Sequence, residues 1–129
     1  KKNYPVFYLK GINYLLESLF LIQHVSKFRS TLHYFEEEIN QHNFLLNENT
    51  ESLAFLYLYS NKINLFFLEG NFNKGIELIP EVLDEIDGYK NRIDAHHIMV
   101  FNYKFASLYF GAGQYENSIY YLEKIIHNK

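Results

Sequence analysis

The sequence has no cysteine. That absence rules out a disulfide framework, a thiolate metal site, a cysteine nucleophile and thiol redox chemistry, and it permits a reducing compartment without proving one; the location expected for the chain is cytoplasmic. Tryptophan is missing as well, and only 2 prolines and 6 glycines punctuate 129 residues, too few breaks for a chain of many short strands. Neither sign of charge dominates. A formal net charge of −3, with no clustered basic face, gives no footprint for a nucleic-acid partner. Long apolar runs are also lacking: Lys10 and Glu17 interrupt the stretch from Val6 to Ile22, and Ser60, Asn61, Lys62 and Asn64 interrupt that from Leu53 to Leu68. Neither stretch reads as a membrane span. The opening KKNYP carries no initiating Met, and the apolar run behind it lacks a signal-peptide cleavage site, so the chain reads as an excerpt of something longer.

What is present suits a single packed domain over residues 1–129, since 48% hydrophobic and 21% charged residues are enough to bury a core. The 12 Tyr and 12 Phe go with abundant Asn, Ile and Lys and with Lys far outnumbering Arg, the bias of an AT-rich coding sequence. Apolar residues recur every three or four positions, a helical period. The series Leu56, Tyr59, Ile63, Phe66 and Leu68 runs to Gly70, and the series Ile98, Phe101, Phe105, Leu108 and Tyr109 runs to Gly111 and Gly113. Glycine ends a helix cheaply because it reaches the left-handed conformation without steric cost.

A shorter helix is expected after each stop, and three of them align: FRSTLHYFEEEI from Phe28, FNKGIELIPEVL from Phe72 and YENSIYYLEKII from Tyr115. In each, an aromatic residue is followed by a small residue (Thr31, Gly75, Ser118), then Leu or Ile (Leu32, Ile76, Ile119), then a large apolar residue (Phe35, Ile79, Leu122). Repetition at this spacing signifies one supersecondary unit copied along the chain, each copy burying its apolar face on the next. The unit is a helical hairpin, and the expected repeats cover about 4–46, 50–87 and 91–127, with NENT (47 to 50) and DGYKN (87 to 91) as corners rich in cap and turn residues. Pro80, inside the second of the short helices, predicts a bend there.

The stretch Ala106-x-x-Tyr109-x-x-x-Gly113-x-Tyr115-x-x-Ser118-Ile119 resembles the tetratricopeptide (TPR) repeat, as does Phe66-x-x-x-Gly70-x-Phe72-x-x-Gly75-Ile76. A first copy, Ile22 to Leu32, has Ser26 where glycine is usual. Small residues such as Ala106 opposite Ser118 let paired helices approach to about 8–10 Å. The repeats exceed the usual ~34 residues, and no proline closes them. The resemblance implies an all-α, right-handed α-solenoid of about three stacked antiparallel helical hairpins. It also implies a non-catalytic scaffold that binds a protein or peptide in its concave groove. Carried over, the groove positions are Asn13, Leu16 and Phe20, then Tyr57, Ser60, Asn64 and Phe67, then Val100, Tyr103, Ser107 and Phe110, with Lys104 at the edge. Some members clamp a terminal carboxylate with lysines and an asparagine. Asn64 takes the asparagine position, but Ser60 and Leu16 stand where a lysine is expected, so the groove is aromatic and neutral and suits an apolar helix.

Other chemistries find little support in the residues. Gly111-Ala112-Gly113 lacks the third glycine and the preceding strand of a dinucleotide loop, so it reads as a helix corner. His96 and His97 are adjacent and point about 100° apart on a helix, while Asp94 with His97 supplies only two ligands, so no metal is expected. Carboxylates are scattered, no nucleophile elbow occurs, and neither an enzyme nor a cofactor is expected. The alternative to a peptide-binding groove is a structural or regulatory segment of a longer array, such as the sensor part of a bacterial transcriptional regulator. Ile119, Leu122, Ile125 and Ile126 form an uncapped apolar last helix, which points to self-association.

Overall fold

The computed structural model describes residues 5–41, 47–89 and 92–127. They form six helices: α1 (Pro5–Leu21), α2 (Val25–Asn40), α3 (Glu48–Glu69), α4 (Phe72–Gly88), α5 (Ala95–Gly111) and α6 (Tyr115–Ile126). No strand occurs among the described residues, so the chain is all-α, as the spacing of its apolar residues indicates. Nor is any helix among them long and apolar enough to cross a membrane. Helix α3 starts inside NENT through a reciprocal cap: Asn47 Oδ1 accepts from the Thr50 backbone N–H at 2.9 Å, and Thr50 Oγ1 accepts from the Asn47 N–H at 2.7 Å. Helix α4 ends inside DGYKN at Gly88, with Pro80 in its interior on an exposed position. Lys90 and Asn91 of that corner lie outside the described residues, as do the limits at 4, 46 and 91 of the expected repeats.

Three corners share one backbone conformation. Gln23, Gly70 and Gly113 hold φ of 59°, 68° and 79°, and the N-caps that follow, His24, Asn71 and Gln114, have φ of −85°, −103° and −95°. At the first and last corners the hydrogen bonds match at a constant offset. His24 N–H donates to Leu19 O at 3.0 Å as Gln114 N–H does to Tyr109 O at 2.8 Å, and Gln23 N–H donates to Phe20 O as Gly113 N–H does to Phe110 O, both at 3.0 Å. These are the paired bonds of a Schellman stop, which requires a left-handed residue just past the helix.

The shared corner corrects the alignment of the first copy. Val25, and not Phe28, opens α2 as Phe72 opens α4 and Tyr115 opens α6. Phe28 is fully buried, Phe72 is half-buried and Tyr115 is 57% exposed, so the three are not equivalent. Phe28 instead matches Gly75 and Ser118, all buried, and Gln23, not Ser26, takes the glycine position. Glutamine stands where the other two corners have glycine, so no punctuation residue marks the register at this corner.

Contacts divide the chain into two compact units, Lys1–Glu69 and Gly70–Lys129. In the first, α3 packs on both α1 and α2. The core joins Leu9, Ile12, Leu16 and Leu19 of α1, at helical spacing, to Phe28, Leu32 and Phe35 of α2 and to Ala54 and Leu58 of α3. Burying each large side chain stabilises the fold by about 1.5–3 kcal/mol. Two ion pairs tie α2 to α3: Arg29 to Glu69 at 2.7 Å and Lys62 to Glu36 at 2.6 Å. Partly exposed pairs like these contribute about 0–1 kcal/mol each and serve chiefly to define how α3 lies.

In the second unit α5 packs on α4 and along α6. Phe101, Phe105, Ala106 and Leu108 of α5 are buried, as is Ser118 of α6, and the Tyr121 ring stands edge-on to Phe105 at 5.4 Å and stacks on Tyr109 at 5.8 Å. The Gly111-Ala112-Gly113 segment is a corner between two helices. A Cβ on Gly111 would come within 2.6 Å of the Phe72 ring, closer than any real contact, so glycine is required there by packing. Gly111→Ala should be net destabilising by about 1 kcal/mol, because overpacking of roughly 1–3 kcal/mol outweighs the ~1 kcal/mol gain in helix propensity. Adding Phe72→Leu should restore stability, and an unchanged urea midpoint in Gly111→Ala would show that the ring yields freely.

Candidate functional site

The expected groove positions fall into three environments. Asn13, Leu16 and Asn64 lie inside the first unit, Leu16 fully enclosed in the core and the two asparagines in a polar seam between α1 and α3. Asn61, 1% exposed, is the hub of that seam. Its Nδ2 donates to Asn13 Oδ1 at 2.9 Å and to the Tyr57 carbonyl at 2.8 Å, and its Oδ1 accepts from Asn64 Nδ2 at 3.3 Å. Buried amides matched in this way add modest stability while making any other placement of the two helices costly. The sequence reading carried Asn13 and Asn64 but missed Asn61, whose one signal was a polar residue interrupting the apolar run of α3.

Tyr57 and Ser60, one turn apart on α3, are half-buried. Burial first, and then the nearby Tyr14 and Glu17, hold the Tyr57 phenol above its ordinary value, because each disfavours the phenolate. Burial and the neighbouring Tyr109 and Tyr120 do the same for Tyr121 of α6. The folded state therefore favours the neutral phenols. Stability from these groups is intact below the unfolded value near ~10 and is lost as pH rises through the higher folded values. Urea midpoints should fall in that alkaline window, and Tyr57→Phe should flatten the fall.

Phe20 and Phe67 are brought together. With Leu21, Gln23 and Leu68 they line a cleft of about 340 Å³ where the last turns of α1 and α3 meet. The left-handed backbone at Gln23 turns that residue into the cleft wall, and Leu21 and Ile22, 78% and 69% exposed, add apolar surface next to it. Behind Phe20 stands the buried Phe28 ring, 6.4 Å away and tilted 56°. Leu21, Gln23 and Leu68 were not foreseen as lining residues, since their roles depend on how α1 ends.

In the second unit, Tyr103 and Phe110, seven residues apart on α5, are 61% and 63% exposed. Val100, Lys104 and Ser107 are half-buried, and the Ser107 hydroxyl donates to the Tyr103 carbonyl at 2.9 Å, which turns its polar group back onto the helix. Phe110 meets Tyr115 edge-on at 5.4 Å. Asp94 is the N-cap of α5: its Oδ1 accepts from the His97 backbone N–H at 2.9 Å and lies 2.7 Å from His97 Nδ1. The backbone bond, followed by the side-chain one, holds the Asp94 carboxyl below the usual range. Among the described residues no group of three His, Asp or Glu side chains gathers to hold a metal ion.

No family model, curated protein or solved structure matches the chain.

Proposed function

We propose that this chain is a protein-interaction module, a right-handed TPR-like α-solenoid that holds an apolar peptide or partner helix. The observation that carries this reading is the cleft between Phe20 and Phe67, with Leu21 exposed on its wall. Aromatic walls offer large contact area at low entropic cost, and an apolar side chain seated between them loses water on both faces. Gln23 supplies a polar group that can fix the orientation of a bound backbone. No catalytic step is assigned. A displayed library of helical peptides should yield binders that lose about tenfold in affinity, ~1.4 kcal/mol, on Leu21→Asp, a change at an exposed position that leaves the core untouched. Binders indifferent to both Leu21→Asp and Phe67→Ala would overturn the reading.

A second reading, a segment of a longer repeat array such as the sensor part of a bacterial regulator, draws support from α6. There Ile119, Leu122 and Ile126 are 53%, 37% and 63% exposed along one stripe. A surface of that kind is usually covered.

A further inference from the structure

The two units supply a template for what covers that stripe. The matched corners place α1 and α2 in register with α5 and α6, so Asn13 corresponds to Tyr103, Phe20 to Phe110, Val25 to Tyr115, Arg29 to Ile119, Leu32 to Leu122 and Glu36 to Ile126. In the first unit, this is the face on which α3 lies. Asn13 bonds to Asn61, Arg29 pairs with Glu69, Glu36 pairs with Lys62, and Leu32 is 5% exposed. In the second unit the corresponding six side chains are 61%, 63%, 57%, 53%, 37% and 63% exposed.

We infer that the α5–α6 face is a seat for one more helix, laid as α3 lies on α1 and α2, and that the helix belongs to an apolar amphipathic partner. The chemistry of the partner follows from the substitutions. The three polar side chains named above, through which the first unit grips α3, have apolar or aromatic counterparts in the second: Tyr103 for the asparagine, Ile119 for the arginine and Ile126 for the glutamate. A helix bearing an acid opposite Ile119 or a base opposite Ile126 would bury an unpaired charge, whereas aliphatic side chains there would be matched. The recognised helix therefore carries apolar residues where α3 has Asn61, Lys62 and Glu69, in addition to the positions of Ala54 and Leu58. The six side chains offer on the order of 600 Å² of surface, at the upper end of what an unpartnered monomer exposes in one patch. The seat lies within the second unit and does not depend on the cleft at Phe20 and Phe67.

The probe is a labelled peptide of residues 48–69 with Asn61→Leu, Lys62→Leu and Glu69→Leu and a lysine tail for solubility, compared with the unsubstituted 48–69 peptide with the same tail. Titrated with the full chain and followed by anisotropy, the substituted peptide should bind at least tenfold more tightly than the natural one. The double variant Ile119→Arg, Ile126→Glu, whose folding is checked by circular dichroism, should reverse that order by restoring partners for Glu69 and Lys62. Tyr103→Asn alone should shift the preference toward a peptide that keeps Asn61. Absence of binding by either peptide, or an order unchanged in these variants, overturns the proposal. So does a concentration-dependent dimer that Ile119→Arg, Ile126→Glu abolishes, since the seat would then be filled by a second copy of the chain.

Discussion

Asn61→Asp should cost about 3–5 kcal/mol of unfolding free energy at neutral pH, although it changes a single heavy atom. The side chain is 1% exposed, and its amide nitrogen donates to two acceptors, Asn13 Oδ1 and the Tyr57 carbonyl. Aspartate puts an oxygen in its place, so that a charged acceptor faces two acceptors at a position closed to bulk solvent. Burial and the missing donors would push the new carboxyl well above the ordinary carboxylate range. The loss should therefore be full at neutral pH and shrink as acid protonates the group, since the protonated form again has a donor. Urea unfolding at neutral and mildly acidic pH measures both parts. By contrast, the double change Asn13→Leu, Asn61→Leu removes the Asn61 donor and its Asn13 acceptor together and should cost less than Asn61→Asp. A loss below ~1 kcal/mol for Asn61→Asp would mean that the seam is wet.

The second large effect is expected from Phe28→Ala, again about 3–5 kcal/mol, because the ring is fully buried in the core of the first unit and its removal leaves a cavity that helices cannot fully close. Phe28→Leu should recover a good part of it. The informative partner is Tyr115→Ala. The alignment read from sequence makes Phe28 and Tyr115 equivalent, but Tyr115 is 57% exposed and its removal should change stability by less than ~0.5 kcal/mol. Equal losses in the two variants would restore the sequence alignment and discard the one set by the corners. Since Phe28 backs Phe20, Phe28→Ala should also weaken any ligand held in the cleft, by an amount separable from the loss of fold at low temperature.

What the sequence made legible is what depends on local chemistry. Helical period, glycine stops at Gly70 and Gly113, and the cap-rich NENT corner each act within a few residues, and each has its counterpart in the structure. The first corner was misread because Gln23 adopts a conformation that glutamine seldom announces. The site was less legible still. Whether Asn13 faces a groove or a neighbouring helix depends on how α3 lies across α1, and nothing in a single helix records that. Tyr103 and Phe110, groove positions by the resemblance, are indeed exposed, yet a period of three to four does not by itself tell such positions from core.

Gln23 carries a consequence for engineering. A glutamine at φ 59° sits roughly 1 kcal/mol above a glycine there, the residue the other two corners use, so Gln23→Gly is an obvious route to a sturdier fold. The same change would strip the amide from the mouth between Phe20 and Phe67. Thermal robustness and grip on a guest are thus set against each other at one backbone torsion, and variants selected for heat tolerance alone should drift toward glycine at this position and toward weaker capture.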